Sequence, residues 1–379
     1  MPRVAMVIQR YLPHVGGAER QIQQLAPRLR ARGFDVCVVT RHEKGLSWYE
    51  LIDDVPVYRM PSIGPKWLAA VTFIVSALYR LIRLRPDLVH AHEILSPSTI
   101  SVLSKQLNGH PVLVKILRGG ALGDIFKFKR RWFWKFRFRK LDRTIDAFIT
   151  ISREIDEELA SLHVRKGKRI FIPNGVDVVR YVPVSVDLKQ QLRAELALPL
   201  RAFIVVYVGR LVPEKHVDSL LGIWDDVRKK LPTAHLLIVG GGPDEQTLRE
   251  MPVNGVQFTG PVNDAVRYMQ ASDLFVLPSS TEGLSNSLLE AMSTGLPVLA
   301  TTVGGTNDVV QHQENGYLIP PDDVESLKAG LETLIDDDAL RFRIGANARQ
   351  RILRDFSLDS VAERLAALYQ ELLATRDIH

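Results

Sequence analysis

The stretch LFVLPSSTEGLSNSLLEAMSTGLPVLAT, residues 274–301, has two short apolar runs on either side of a segment with helical spacing. The runs LFVL and PVLAT have the length of buried strands, and the segment between them follows an N-cap candidate, Ser285 or Asn286. Two neighbouring strands that are joined through a helix are typically parallel, because an antiparallel pair needs only a short turn. The stretch therefore predicts a strand–helix–strand unit of a parallel sheet.

The same alternation extends through the rest of the chain. Upstream, the runs FIVVYVGRL, HLLIVGGG and VQFTG are each followed by helical spacing, as are VAMVI, DVCVVT and DLVHAH nearer the N-terminus. The segment IPNGVDVVRYVPVSVD, residues 172–187, interrupts the alternation with Pro and Gly and predicts a linker. The predicted fold class is α/β, with two Rossmann-like doubly wound domains that face each other across a cleft.

The charge of the chain is divided between its halves. Residues 1–180 contain 31 Lys and Arg against 16 Asp and Glu, whereas residues 181–379 contain 18 against 27. The 46% hydrophobic content excludes a disordered chain, and one cysteine, Cys37, excludes an internal disulfide. The start of the sequence has no apolar region of the secretory type, so we expect a cytoplasmic protein.

Two segments of the basic half bear on a membrane. WLAAVTFIVSALYRLI, residues 67–82, is shorter than a membrane span and predicts a buried core helix, with an interfacial helix as the alternative. FKFKRRWFWKFRFRKLDR, residues 126–143, interleaves nine Lys and Arg with Phe and Trp and predicts a basic helix. This helix suits an anionic membrane or a lipid-linked acceptor; a solvated helix with packed aromatics is the alternative, and nucleic acid is disfavoured.

Glu282 and Glu290 are the first candidates for chemistry. The two are eight residues apart, with Gly283 and the helix start between them. Backbone N–H groups at a helix start bind phosphates, and the flanking carboxylates have the reach to hold a sugar ring at one end and a ribose at the other. The pattern therefore predicts a nucleotide-sugar site.

In this context the sequence resembles the retaining glycosyltransferases of family four, the bacterial cell-surface polysaccharide type. The resemblance covers the whole chain and is carried, in the family's order, by GGAER, IPNGVD, VGRLVPEKH, VGGGPDEQTL, the segment with E-x7-E spacing and QENGYLIPPDD. It implies the GT-B fold. The domains expected from it are an acceptor domain over 1–180, a donor domain over 181–357, and a helix over 358–379 that crosses back to the first domain.

The resemblance also implies roles for single residues. The catalytic residues implied are His92, Glu282, Arg210 and Lys215, of which His92 is preferred over His90 near the donor sugar. The donor-binding residues implied are Gly16, Gly17, Arg210, Lys215, Glu282, Gly283, Leu284, Ser285 and Glu290. The expected membrane or acceptor contacts are Arg118, Lys127, Lys129, Arg130, Arg131, Trp132 and Trp134.

Three features bear on these roles. His216 stands where the family often has Gly, and Thr306 and Asn307 replace an apolar residue and often Glu. The D-x-D spacing at Asp336 and Asp338 lies in an acidic run between helices, so we expect no metal and no cofactor.

The predicted function is the metal-independent transfer of a sugar from a nucleotide-sugar donor to a hydroxyl of a saccharide or lipid-linked acceptor. We expect the enzyme to act in cell-envelope, exopolysaccharide or lipopolysaccharide biosynthesis, on the inner face of the plasma membrane. Two alternatives are a non-catalytic membrane-associated binding protein and an NAD(P)-dependent oxidoreductase. The second is disfavoured because no G-x-G-x-x-G follows the first strand.

Overall fold

The computed structural model describes residues 1–14, 16–120, 122–130 and 132–376. The chain divides into two compact units, of which the first combines Met1–Asn174 with Leu358–His379 and the second is Gly175–Ser357. The first division falls inside the predicted linker, six residues before the expected boundary at 180.

The first unit is built on an eight-stranded sheet. Its strands are Arg3–Val7 (β1), Asp35–Arg41 (β2), Tyr49–Ile52 (β3), Val55–Met60 (β4), Leu88–His92 (β5), Val112–Lys115 (β6), Ala147–Thr150 (β7) and Arg169–Phe171 (β8). Its helices before the linker are Gly17–Ala31 (α1), Lys66–Leu84 (α2), Ser96–Asn108 (α3), Asp124–Lys129 (α4), Trp134–Thr144 (α5) and Arg153–Ser161 (α6).

The strand order is β3-β4-β2-β1-β5-β6-β7-β8, and only the β3–β4 pair is antiparallel. The central strands are buried along their whole length, as strands covered by helices on both faces must be. Met6 pairs with His90, and His92 pairs with Lys115. Because paired residues of parallel strands point to the same face, the register brings the two histidines and the lysine together.

The second unit is built on a six-stranded, all-parallel sheet of order β11-β10-β9-β12-β13-β14. Its strands are Phe203–Val208 (β9), Ala234–Val239 (β10), Val256–Gly260 (β11), Leu274–Leu277 (β12), Val298–Thr301 (β13) and Tyr317–Ile319 (β14). Its helices are Val186–Glu195 (α7), Val217–Lys230 (α8), Glu245–Arg249 (α9), Val266–Gln270 (α10), Asn286–Ser293 (α11), Thr306–Val309 (α12), Val324–Asp336 (α13) and Asp338–Asp355 (α14).

The last helix, Leu358–Arg376 (α15), packs against α1 in the first unit. Its residues Val361, Leu365 and Tyr369 are buried in the core of that unit, and the Tyr369 ring meets the Phe34 ring edge-on at a centroid distance of 5.4 Å. This apolar face is what holds the C-terminal segment to the first sheet.

Helix α2 contradicts the prediction of a buried core helix over residues 67–82. Only Phe73, Ala77 and Leu81 are fully buried, and 17% of the 18-residue apolar stretch of the helix is buried. Trp67 and Val75 are 70% and 62% exposed. The prediction was wrong because apolar residues occur all round this helix, so its periodicity does not indicate which face packs.

Candidate active site

The loop after β9 is shaped by the glycines that follow β10, residues 240–242. The amide of Leu211 donates to the carbonyl of Gly241 at 3.0 Å, and a Cβ at Gly242 would lie 2.1 Å from the carbonyl oxygen of Leu211. Side chains at Gly240 are excluded in the same way, since a Cβ there would lie 1.9 Å from the carbonyl oxygen of Gly209. This close approach fixes the loop that carries Arg210, whose side chain is exposed.

Lys215 follows in a single 3-10 turn, Pro213–Lys215, just before α8. The turn ends at His216, which adopts the left-handed conformation with φ 49°. Glycine adopts this conformation without strain. His216, which stands where the family often has Gly, therefore keeps the left-handed turn but adds a side chain to it.

Lys215 and Glu282 form an ion pair. The ammonium Nζ contacts the carboxylate Oε1, and the two side chains are 15% and 8% exposed. Ser279 donates its hydroxyl to the same carboxylate oxygen at 2.8 Å. A pair this buried keeps each charge compensated, so the site holds a cation and an anion in place without a ligand.

The Glu282 loop is held from both sides. The amide of Ser280 donates to the carbonyl of Glu214 at 3.0 Å, and the Thr301 hydroxyl donates to the carbonyl of Ser279 at 2.5 Å. A Cβ at Gly304 would lie 2.1 Å from the carbonyl oxygen of Glu282, and φ at Gly304 is +50°. Glycine is therefore required at position 304, two residues before the departure at Thr306 and Asn307.

The Gly283–Glu290 segment leads into helix α11. The amide of Gly305 donates to the carbonyl of Gly283 at 2.7 Å, and the Ser285 hydroxyl caps the helix by accepting from the amide of Leu288 at 3.3 Å. Leu284 and Glu290 are buried. The donor-site residues predicted for the second unit thus follow β9 and β12, in the loops at the carboxyl edge of the sheet and, for Glu290, in the helix α11 that begins there. This is the edge where α/β folds bind ligands.

His92 lies at the end of β5 and is fully buried. Its ring stacks on that of His90 at a centroid distance of 4.2 Å, and within the described residues neither of its nitrogens has a hydrogen-bond partner. His90 Nδ1 lies 2.7 Å from the Tyr369 hydroxyl. The two histidines therefore share one face, as the strand alternation predicts, and His90 is the one with a structural partner.

Burial sets the protonation of His90, His92 and the neighbouring Lys115. It lowers the pKa of His90 to about 3, helped by the charge of Lys115, and it lowers the pKa of His92 well below its usual value. Burial also lowers the pKa of Lys115 to about 8. Both imidazoles are neutral at pH 7, so His92 is able to donate or accept a hydrogen bond but carries no charge.

Lys115 is the residue that sequence reasoning missed. It is buried beside His92, and its Nζ donates to the Asn174 side chain at 3.0 Å. Together with His90 and His92 it lines a small cavity between the sheet, α1 and α15. The signal was available, because a lysine that ends the apolar strand VLVK has to lie at the carboxyl edge of a parallel sheet.

A second missed group is a set of carboxyls near the start of α1. Burial and the nearby Asp124 and Glu19 carboxylates raise the pKa of Glu93 to about 8. Glu93 also has φ 92°, an uncommon conformation for a residue with a side chain. Sequence reasoning had no signal for this, since the three residues are far apart in the chain.

Gly16 and Gly17 begin helix α1, with Gly16 as the N-cap. Gly16 has φ −117°, and the nearest atom to an added Cβ is the flexible Glu19 carboxylate, at 2.4 Å. The internal packing of the fold therefore gives no firm reason for glycine at position 16.

The basic segment over 126–143 is not the single helix that was predicted. Helix α4 ends at Lys129 and α5 begins at Trp134, and Phe133 adopts a left-handed conformation with φ 54°. Phe128 and Phe138 pack in the core, whereas Phe126, Trp132, Phe133 and Phe136 are exposed. The aromatics are therefore divided between packing and exposure, and membrane or acceptor contact by the exposed ones stays a prediction.

The predicted contact residues of this segment differ in exposure. Lys127, Arg130 and Trp132 are exposed, whereas Arg118, Lys129 and Trp134 are half-buried. Arg131 lies outside the described residues.

Comparison with known proteins gives two family matches. A model described as "Glycosyl transferases group 1" matches residues 189–351, and one described as "Glycosyl transferase 4-like domain" matches residues 16–175. The two-domain α/β architecture predicted from the sequence is confirmed by structures of this type.

Three relatives illustrate the range of similar proteins. The UDP-Gal:alpha-D-GlcNAc-diphosphoundecaprenol alpha-1,3-galactosyltransferase of Escherichia coli is 27% identical, over 96% of each chain. The sulfoquinovosyl transferase of Arabidopsis thaliana is 30% identical over 89% of this chain and 67% of its own length. The structure of sucrose-phosphate synthase from Thermosynechococcus elongatus superposes with a TM-score of 0.86 at 23% identity, over 99% of this chain and 100% of the other.

Proposed function

Since the chain belongs to the group 1 glycosyltransferases, with a family-four-like first domain, we propose that it is a retaining, metal-independent enzyme of cell-envelope polysaccharide biosynthesis. In this proposal it transfers a sugar from a nucleotide-sugar donor to a hydroxyl of a saccharide or lipid-linked acceptor. The observation that carries the proposal is the buried Lys215–Glu282 pair, with Ser279, at the carboxyl edge of the second sheet.

The two members of the pair have different tasks toward the donor. Lys215, together with the exposed Arg210, balances the charge of the diphosphate as it departs, and cations placed in this way do the work without a metal ion. Glu282 accepts hydrogen bonds from hydroxyls of the sugar. Glu290 holds the ribose hydroxyls, and the backbone of 283–285 lies beside sugar and phosphate.

The first unit contributes Gly16, Gly17 and His92. Because the packing gives no firm reason for glycine at position 16, Gly16 fits a place where a phosphate approaches the backbone. His92, neutral through burial, is proposed to make a hydrogen bond to the donor sugar. In the retaining step the bond from the anomeric carbon to the diphosphate oxygen breaks and the acceptor oxygen bonds on the same face. The acceptor proton passes to the departing phosphate oxygen, so no residue serves as nucleophile.

The acceptor side is proposed to lie at the inner face of the plasma membrane. The name of the Escherichia coli relative states a UDP-galactose donor and a diphosphoundecaprenol-linked acceptor, and an acceptor of that chemistry is anchored in a bilayer. The exposed cations Lys127 and Arg130, next to the exposed Trp132, suit anionic headgroups.

The test is a panel of UDP-, GDP- and ADP-sugars, with NAD(P)H as the negative ligand. Thermal stabilisation by one nucleotide-sugar, followed by slow hydrolysis of that donor, is the expected result. Lys215→Ala and Glu282→Gln are expected to lose at least 100-fold of this hydrolysis, while Lys229→Ala, which breaks an exposed ion pair, retains it. Full turnover by the two site variants, or stabilisation by NAD(P)H alone, would refute the proposal.

A further inference from the structure

Helix α2 has an exposed apolar stripe. Trp67, Val71, Val75, Tyr79 and Ile82 succeed one another at intervals of four, four, four and three residues, so they lie on one side of the helix, and all are exposed. Phe73, Ala77 and Leu81 on the other side are buried in the unit. A soluble helix normally turns polar residues outward, so this stripe indicates a surface that is covered by something apolar.

The segment that contains the stripe has basic residues and no acidic ones. Residues 55–86 contain no Asp or Glu, but they contain five Lys and Arg. Of these, Lys66 precedes Trp67, and Arg83 and Arg85 follow Ile82; all three are exposed. An apolar stripe with cations at both ends matches the acyl region and the anionic headgroups of a bilayer, whereas a protein partner would not require the absence of acidic residues.

Helix α2 is connected to the basic segment through α3. Helix α2 packs along α3, and α3 packs against α5, so the three helices form one layer. Helix α3 contains no acidic residue either. The exposed Phe136 lies on α5, and the exposed Trp132 and Phe133 directly precede this helix.

We propose that the outer face of α2 inserts into the interface of an anionic bilayer and lies in the membrane plane. By length and composition α2 could cross a membrane, but Phe73, Ala77 and Leu81 anchor one side of it to the fold. Arg80 also stacks over the Tyr58 ring of β4 at 4.8 Å. This inference deepens the proposed function and rests on its membrane-linked acceptor.

The insertion is tested with a fluorophore that responds to polarity. The single native cysteine, Cys37, is buried, and burial raises the pKa of its thiol to about 12, so it resists labelling. A label at Val75→Cys on the stripe is compared with a label at Phe342→Cys, an exposed site on α14 in the second unit. With vesicles of phosphatidylglycerol and phosphatidylcholine, we expect a blue shift and quenching by spin-labelled acyl chains at position 75 and neither at position 342.

Sedimentation with the same vesicles separates insertion from charge. Val75→Ser with Tyr79→Ser is expected to weaken binding by roughly tenfold or more and to remove the part of the binding that resists high salt. Lys127→Glu with Arg130→Glu is expected to remove the part that salt screens, and Phe342→Ser to change nothing.

Two results would overturn the insertion. If the protein sediments with vesicles while the label at position 75 stays in water, the membrane contact of the proposed function survives and the role of α2 is wrong. If the protein fails to sediment with these vesicles, the insertion of α2 and the membrane contact of the proposed function are both wrong. Donor hydrolysis without vesicles tests the glycosyltransferase site separately from both outcomes.

Discussion

The Lys215 ammonium and the Glu282 carboxylate, 67 residues apart in the chain, are in direct contact at the carboxyl edge of the second sheet. Each residue comes from a loop that packs closely against a glycine. This glycine is Gly242 for the Lys215 loop and Gly304 for the Glu282 loop. The contact neutralises two charges that the proposed donor would engage separately, the cation through its diphosphate and the anion through its sugar. A site that fixes both charges would lower the cost of reorganisation in the proposed reaction.

The pair is expected to be energetically coupled. Lys215→Met and Glu282→Gln each leave one charge unpaired at a largely buried position, so each should lower the free energy of unfolding by about 1–3 kcal/mol. The double variant should lose at least about 1 kcal/mol less than the sum of the two. Urea unfolding of the four proteins measures this. The exposed pair Arg249–Glu245 on α9 is the control and should show coupling below about 0.5 kcal/mol. Equal coupling in the two pairs would contradict the assignment.

Gly304→Ala tests the support of the Glu282 loop. Its Cβ would meet the Glu282 carbonyl oxygen and occupy a left-handed φ, so we expect donor hydrolysis to fall at least tenfold and the free energy of unfolding to fall by about 1–3 kcal/mol. Gly222→Ala, in the open on α8, should keep full activity and gain up to about 1 kcal/mol. Parent-like activity in Gly304→Ala would show that the close approach does not matter.

The Glu93 carboxyl predicts a pH dependence of its own. Its pKa is 4.5 ordinarily and about 8 in the fold, so between these values the folded protein binds the proton that the unfolded chain has released. The contribution of Glu93 to stability is therefore full below pH 4.5 and is lost as the pH rises to about 8. Relative to the parent, Glu93→Gln should gain stability between pH 5 and pH 8, measured by urea unfolding. The exposed Glu157→Gln on α6 should show no such trend, and a difference for Glu93→Gln that is constant with pH would contradict the burial of this carboxyl.

From the buried His90 we expect the opposite dependence of stability on pH. Its pKa is 6.5 ordinarily and about 3 in the fold, so as the pH falls below 6.5 the unfolded chain takes up a proton that the folded protein refuses. Between pH 7 and pH 5 the parent should lose about 2 kcal/mol more than His90→Gln, an uncharged variant that retains a partner for Tyr369. His163→Gln, at an exposed position, serves as the control for the unfolded state. Identical losses in the parent and in His90→Gln would show that this imidazole titrates normally.

The sequence predicted the alternation of strands and helices because parallel α/β units have clear periodicity and glycine-rich loops. It did not predict the antiparallel pair β3–β4. It did not predict which side of α2 faces outward, since the apolar residues there surround the helix and the packing partner is set by the sheet. Nor did it predict that α4 ends at Lys129 and α5 begins at Trp134, because no Pro or Gly interrupts the basic segment.

Within the site, the motif residues fell at one edge of the second sheet as parallel topology requires. The Lys215–Glu282 contact itself was not predicted. It depends on the shapes of two loops, which are set by close backbone approaches at Gly242 and Gly304. Lys115 was passed over since a single lysine in an apolar strand carries no motif, although its register with His92 places it in the same cavity.

The most direct test of the donor site is calorimetric titration with a nucleoside diphosphate and with the matching nucleotide-sugar. Lys215→Ala should weaken binding of both ligands by at least tenfold, because both contain the diphosphate. Glu282→Gln should weaken binding of the nucleotide-sugar alone, because its proposed partner is the sugar. If Glu282→Gln weakens both ligands equally, or if Lys215→Ala weakens neither, the assignment of this pair to the two halves of the donor is wrong.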